Sequence, residues 1–183
     1  MSTHAVSRLT LPVSERDHIR GPQTAAVTVV EYGDYECPHC GQAYFTVKEL
    51  EQLVGDSMRY VFRNFPLSSV HPHAEHAAEA AEAAGAQGKF WAMHSILFQN
   101  QQALDDEHLA EYAATLGLDM RRFARDLIEG TFAPRVREDF ISGVRSGVNG
   151  TPTFFINDIR WDGPYDLGSL LAGVQEAAEQ SSR

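Results

Sequence analysis

The 183-residue chain has no cysteine besides Cys37 and Cys40. No thiol is left over for a structural disulfide, so a small fold stapled by covalent bridges is excluded. No run of apolar residues is long enough to span a bilayer, which argues against a membrane partner in the form of an inserted helix. Basic side chains are scarce: 15 Lys and Arg stand against 25 Asp and Glu, for a formal net charge of −10 and a pI near 5.2. Binding to nucleic acid needs a basic surface that displaces counterions from phosphates, and this chain does not supply one. The first twelve residues lack a basic segment followed by an apolar core, so they do not read as a signal peptide. The expectation is a cytoplasmic, monomeric protein in a compartment that keeps thiols reduced.

What is present is ordinary globular material, 43% hydrophobic and 22% charged, sufficient for one domain or one domain with a sizeable insertion. There is no internal repeat, and the only biased tract is an alanine-rich stretch at residues 73–86.

The two cysteines form a C-x-x-C pair, Cys37-Pro38-His39-Cys40. It follows an apolar, β-branched run from Val27 to Tyr32 and precedes apolar residues at helical spacing: Cys40, Ala43, Tyr44, Val47, Leu50 and Val54. The pair therefore stands where a strand becomes a helix. The first amides of a helix have no intrahelical partner and, with the helix dipole, favour negative charge. Cys37, at the helix mouth, is accordingly the expected nucleophile with a lowered thiol pKa. Cys40 is one turn further in, on the core face, and is expected to resolve a mixed disulfide formed on Cys37. His39, between them, is either a donor to the Cys37 sulfur or a solvent-facing spacer. Glu31 lies near the end of the strand, where burying a carboxylate needs a purpose; an ion pair with a neighbouring base is one.

Met58 to Phe65 predicts a second strand, parallel to the first because a helix connects them, with Gly55 ending that helix. Helical patterns then dominate from His71 to about Val148: residues 73–86 after Pro72, then a stripe of Phe90, Trp91, His94, Leu97 and Phe98. Further stripes carry Leu109, Tyr112, Ala113 and Leu116; Phe123, Ala124, Leu127 and Ile128; and Val136, Phe140 and Val144. Four or five short helices are expected. Strand character returns at Thr153-Phe154-Phe155-Ile156, and Ile159-Arg160-Trp161 returns antiparallel to it. Asp158 suits a left-handed turn less well than glycine, so the intervening loop is expected to exceed two residues. A last helix starts after an Asp166 cap. An edge strand at residues 9–13 completes the expectation.

Three stretches together carry a resemblance. Cys37-Pro38-His39-Cys40, Lys89-Phe90-Trp91-Ala92-Met93-His94 and Gly150-Thr151-Pro152-Thr153-Phe154-Phe155-Ile156-Asn157 resemble, in order and spacing, the DsbA-like branch of the thioredoxin superfamily. The resemblance implies an α/β fold, a thioredoxin fold with an inserted α-helical domain. Residues 1–22 would form an N-terminal arm, 23–67 and 148–183 the thioredoxin-like domain, and 68–147 the helical insertion. It implies a thiol–disulfide oxidoreductase acting on protein thiols and disulfides with an unidentified redox partner, and no cofactor besides the Cys37–Cys40 pair. It also implies a cis peptide before Pro152 opposite the cysteines, substrate pairing at Thr151 and Pro152, and a proton-relay role for Glu31 toward Cys40. Threonine before that proline, where many oxidants of the family carry valine, leaves oxidase, reductase and isomerase open.

A second reading makes the chain a non-enzymatic zinc module in which Cys37 and Cys40 share a metal with His71 or His73, or with a second chain. His71, His73, Glu75 and His76 read otherwise as a solvated helix start. Phe65, Leu67, Trp91 and Phe155 line an apolar groove beside Cys37 or belong to the core.

Overall fold

The computed structural model describes residues 6–183; of the arm expected at residues 1–22, residues 1–5 lie outside the described residues. Five strands, β1 (His18–Arg20), β2 (Val27–Gly33), β3 (Met58–Asn64), β4 (Thr153–Ile156) and β5 (Ile159–Trp161), form one sheet in the order β1-β3-β2-β4-β5. β1 runs antiparallel to β3, β4 antiparallel to β2, and β5 antiparallel to β4. In β2 and β3 every residue but one is buried, which explains why neither shows polar and apolar alternation: central strands are covered on both faces. The described residues also form seven α-helices: α1 (Pro38–Val54), α2 (Ala74–Gly85), α3 (Phe90–Gln99), α4 (Asp106–Thr115), α5 (Met120–Ile128), α6 (Ala133–Arg145) and α7 (Leu167–Ser181). None is long and apolar enough to cross a membrane.

The described residues divide into two compact units. One comprises residues up to Tyr32, Gln42–Arg63 and Ser142–Arg183; the other comprises Gly33–Gly41 and Asn64–Ile141.

In the first unit the organising charge is Arg63, fully buried on β3. Its guanidinium donates to both carboxylate oxygens of buried Asp17 at 2.8 and 3.0 Å, to the Tyr32 hydroxyl at 3.0 Å and to the carbonyls of Leu11 and Pro12 at 2.9 and 3.3 Å. This fork explains a departure from expectation. Residues 9–13 form no edge strand, because the carbonyls of Leu11 and Pro12 go to Arg63; the edge strand is β1, further along. The β4–β5 connection also differs from expectation. Ile156 pairs with Ile159, so the loop is Asn157-Asp158 alone, with φ of 46° and 66°. Asn157 makes this affordable: its side-chain oxygen accepts from the Thr28 amide at 2.8 Å, and its own amide donates to the Thr28 carbonyl at 2.9 Å. Asp166 caps α7 as expected, accepting from the Ser169 amide at 3.0 Å.

The second unit is built around α2, which packs against α3, α4 and α5. Its seven alanines are all buried, and small side chains are what let three helices approach one helix closely. Of the four or five short helices expected from His71 to about Val148, five are found, α2 to α6. Their stripes are not wholly buried, since Ile128 and Val144 point outward. Phe65 stacks on Phe140 with ring centroids 4.3 Å apart. Asn64 donates through its side-chain nitrogen to Glu82 at 2.7 Å and to Asp139 at 3.1 Å, giving both buried carboxylates a partner inside this core.

Candidate functional site

β2 delivers the chain to Asp34-Tyr35-Glu36, and α1 begins one residue after Cys37. The Gly41 amide donates to the Cys37 carbonyl at 3.1 Å, so Cys37 occupies the capping position of α1 and Pro38 the first helical position, where a missing N–H costs nothing. Cys37 is 4% exposed and Cys40 fully buried, and the two are not joined in a disulfide. His39 lies on the exposed side of the same turn. Sequence spacing is enough to gather Cys37, His39 and Cys40, because all three belong to one helical turn.

Asp34, which the sequence reading passed over, is the hub of this turn. Its amide donates to the Cys40 sulfur at 3.4 Å and its carbonyl accepts from the Cys37 amide at 3.2 Å. Its buried carboxylate accepts from the amides of Glu36 and Leu67, each at 2.8 Å, and lies 2.7 Å from His71 Nδ1. Burial opposes charge on His71, but the Asp34 carboxylate, followed by the charges of Cys37 and Glu36, raises its pKa above the ordinary imidazole value.

The residues flanking Asp34 are held as well. The Tyr35 hydroxyl lies 3.0 Å from Nδ1 of buried His94, inside a cage that includes Phe90, Trp91 and Phe98. The Glu36 carboxylate accepts from the His73 amide at 2.7 Å, at the start of α2. Gln101 donates one side-chain amide to the carbonyls of Tyr35 and Cys37, both at 2.8 Å. The stretch before the cysteines is thus pinned at every residue from Asp34 to Cys37.

The histidines of residues 71–76 do not converge. His71 turns to Asp34, His73 precedes α2 as its cap residue, and His76 pairs with exposed Asp106 at 2.8 Å. Among the described residues no group of three or more His, Cys, Asp or Glu is gathered as metal ligands would be. The four residues read as either lining an apolar groove or belonging to the core do not share one role. Phe65 and Phe155 are core residues, Trp91 packs edge-on against Phe90, and Leu67 alone lines a cavity of about 650 Å³, together with Pro66, Val136, Arg137 and Phe140.

Glu31, Thr151 and Pro152 lie in the other unit. Glu31 is 1% exposed and accepts from the Tyr60 hydroxyl at 2.5 Å. Burial and the neighbouring carboxylate push the Tyr60 hydroxyl well above its ordinary pKa. The Thr151–Pro152 peptide is cis. Thr153 pairs with Tyr32 and Phe154 with Glu31, so the Thr151-Pro152 segment leads into β4 beside the C-terminal end of β2.

A sheet with this strand order, interrupted by a helical unit and carrying a C-x-x-C pair on the first turn of α1, defines a thioredoxin fold of the DsbA-like class. The Thioredoxin family model matches residues 13–176, and the chain belongs to that family. Among solved structures, oxidised BdbD from Bacillus subtilis is similar with a TM-score of 0.83 at 23% identity, covering 96% of this chain and 98% of that one. A thioredoxin-like oxidoreductase from Silicibacter pomeroyi is similar with a TM-score of 0.78 at 28% identity, covering 92% and 94%. Among curated sequences, a protein of Salinispora tropica named Na(+)/H(+) antiporter NhaA 3 is 48% identical over 178 residues, 96% of this chain and 27% of that protein. A Herminiimonas arsenicoxydans protein named Na(+)/H(+) antiporter NhaA is 46% identical over 92% of this chain and 27% of its own length. The chain spans about a quarter of the length of these curated relatives.

Proposed function

We propose that the chain exchanges disulfides with protein thiols through Cys37 and Cys40. The observation that supports this best is the position of the pair on the capping turn of α1, with the Cys40 sulfur held by the Asp34 amide. In the reductive direction the Cys37 thiolate attacks a substrate disulfide, forming one S–S bond and releasing one substrate sulfur as a thiolate that takes a proton. Cys40, deprotonated, then attacks Cys37, releases the second substrate sulfur and closes the Cys37–Cys40 disulfide. Two electrons pass to the substrate, and a redox partner returns the pair to the dithiol. Oxidation of a substrate dithiol is the same sequence reversed. Which direction dominates is set by the reduction potential of the pair against its surroundings, where about 30 mV corresponds to about 1.4 kcal/mol.

In this proposal Glu31 takes the Cys40 proton through water, and Thr151 with Pro152 orients an extended substrate segment. His39 adds a donor on the first turn of α1. The antiporter named for the sequence relatives is a property of chains of which the matched segment is about a quarter; the redox reading concerns that shared segment. The zinc alternative needs further ligands beside the two cysteines, and among the described residues no group of three or more His, Cys, Asp or Glu is gathered that would supply them.

The test is turnover and trapping. Cys37→Ser is expected to abolish reduction of insulin disulfides, and Cys40→Ser to accumulate mixed disulfides resolvable on a non-reducing gel. Full turnover in both variants, or stoichiometric zinc with protected thiols in the purified protein, would overturn the proposal.

A further inference from the structure

The redox reading assigns work to Cys37, Cys40 and His39 but leaves the buried charge directly behind them unexplained. Asp34 touches both cysteines through its backbone, and its side chain is fully buried. A carboxylate fixed at that point repels a thiolate forming at Cys37, because a like charge nearby disfavours the charged form. A cation beside that carboxylate would offset the repulsion and favour the thiolate. The sequence supplies no lysine or arginine near the motif: the residues from Tyr32 to Tyr44 contain none. The side chain in contact with Asp34 is His71, at 2.7 Å, with one face toward solvent at 20% side-chain exposure. That geometry keeps an imidazolium partly hydrated while its Nδ1–H is spent on the buried carboxylate.

We propose that His71 is a positioning residue of the dithiol: as an imidazolium it neutralises Asp34, so that the Cys37 thiolate forms without an uncompensated negative charge behind it. The inference rests on the redox reading and deepens it. The charged groups facing His71 are Asp34, Cys37 and Glu36. All three are acidic, and each favours the imidazolium, in line with its raised pKa. The coupling is reciprocal by linkage: if the imidazolium favours the thiolate, the thiolate favours the imidazolium equally. The Cys37–Cys40 disulfide has no thiolate, so oxidation withdraws that support, and His71 releases its proton at lower pH in the oxidised protein than in the reduced one.

The first measurement needs no substitution. The His71 imidazole is titrated by NMR in the reduced and the oxidised wild-type protein, with the midpoint expected at higher pH in the reduced form. Equal midpoints in a protein that forms its disulfide reversibly would overturn the inference and leave the redox reading standing. Failure of the wild type to form that disulfide at all would sink the redox reading itself. The second measurement compares His71→Asn, which keeps a donor for Asp34 without charge, and His71→Lys, which keeps the charge without a titration near neutrality. His71→Asn is expected to show about tenfold less thiolate at a given pH by absorbance at 240 nm. Its equilibrium with glutathione should shift about tenfold toward the disulfide, roughly 30 mV for a two-electron couple. His71→Lys is expected to restore most of both. Wild-type thiolate content in a folded His71→Asn, or no restoration by His71→Lys, would count against the proposal.

Discussion

Asp34, His71 and Gln101 show at the level of single residues why the site is only partly visible in a sequence. Cys37 and Cys40 declare themselves because their chemistry is local, three positions apart on one helical turn. Asp34 and His71 are 37 residues apart, and Gln101 meets Cys37 across 64. No period or motif connects such pairs; they meet because α2 and α3 fold back over the segment that precedes α1. Gly41 is explained the same way. A β-carbon there would stand 2.2 Å from Gln101 Oε1, so the glycine makes room for the side chain that holds the carbonyls of Tyr35 and Cys37. Inside a helix Gly→Ala is ordinarily favourable by about 1 kcal/mol. Here it displaces Gln101 and strips two hydrogen bonds, each worth about 1 kcal/mol, from carbonyls at the active turn. Gly41→Ala is therefore expected to destabilise the wild type by roughly 1 kcal/mol, the two lost bonds outweighing the helical gain. In a Gln101→Ala background it is expected to stabilise instead. Urea unfolding of the four members of that cycle reads the change of sign; additive effects would contradict the role given to Gln101.

At the scale of elements the sequence is a better guide wherever a segment carries its own terminators. Asp105, Asp119 and Asp166 each cap a helix by accepting from the amide three residues on, and Gly55 follows α1 with φ of 52°. These are contacts within one turn, so residue type and position suffice. Asp166→Ala is expected to cost about 1 kcal/mol and to fray the start of α7. Faster amide exchange at Ser169, whose N–H loses its acceptor, is the direct readout, and unchanged protection there would remove the cap from the account. Elements fail to be legible where a distant partner changes the outcome. The edge strand moved from residues 9–13 to β1 because Arg63 takes the carbonyls of Leu11 and Pro12. The Asn157-Asp158 loop closes in two residues because Thr28, on another strand, holds Asn157 at both its backbone and its side chain. The His71–His76 segment looks like a metal cluster in one dimension and separates in three.

Across the whole molecule two electrostatic effects oppose each other as pH falls, and their difference identifies which one holds the N-terminal residues in place. The 25 acidic and 15 basic side chains leave ten negative charges uncompensated at pH 7, and this repulsion relaxes as the pH approaches the pI near 5.2. The Asp17–Arg63 pair responds in the other direction. Burial by itself would raise the Asp17 pKa, but the hydrogen bonds and charge of Arg63 outweigh it and hold the carboxyl below its ordinary value of 3.8. A carboxyl whose folded pKa lies below its unfolded one adds stability that is complete above the unfolded value and disappears as pH falls through the folded one. Asp17→Asn leaves the Arg63 guanidinium buried with half its partner's charge-assisted bonds gone, a loss on the order of 3–5 kcal/mol at neutral pH. That deficit should be constant from pH 7 down to about pH 5, where general repulsion is changing most, and should narrow only below about pH 4 as wild-type Asp17 itself takes up a proton. Chemical unfolding of both proteins across this range separates the two effects. A deficit that shrinks between pH 7 and 5 would assign the stability to net charge, and a constant one followed by acid convergence assigns it to the buried fork that ties residues 11–17 to β3.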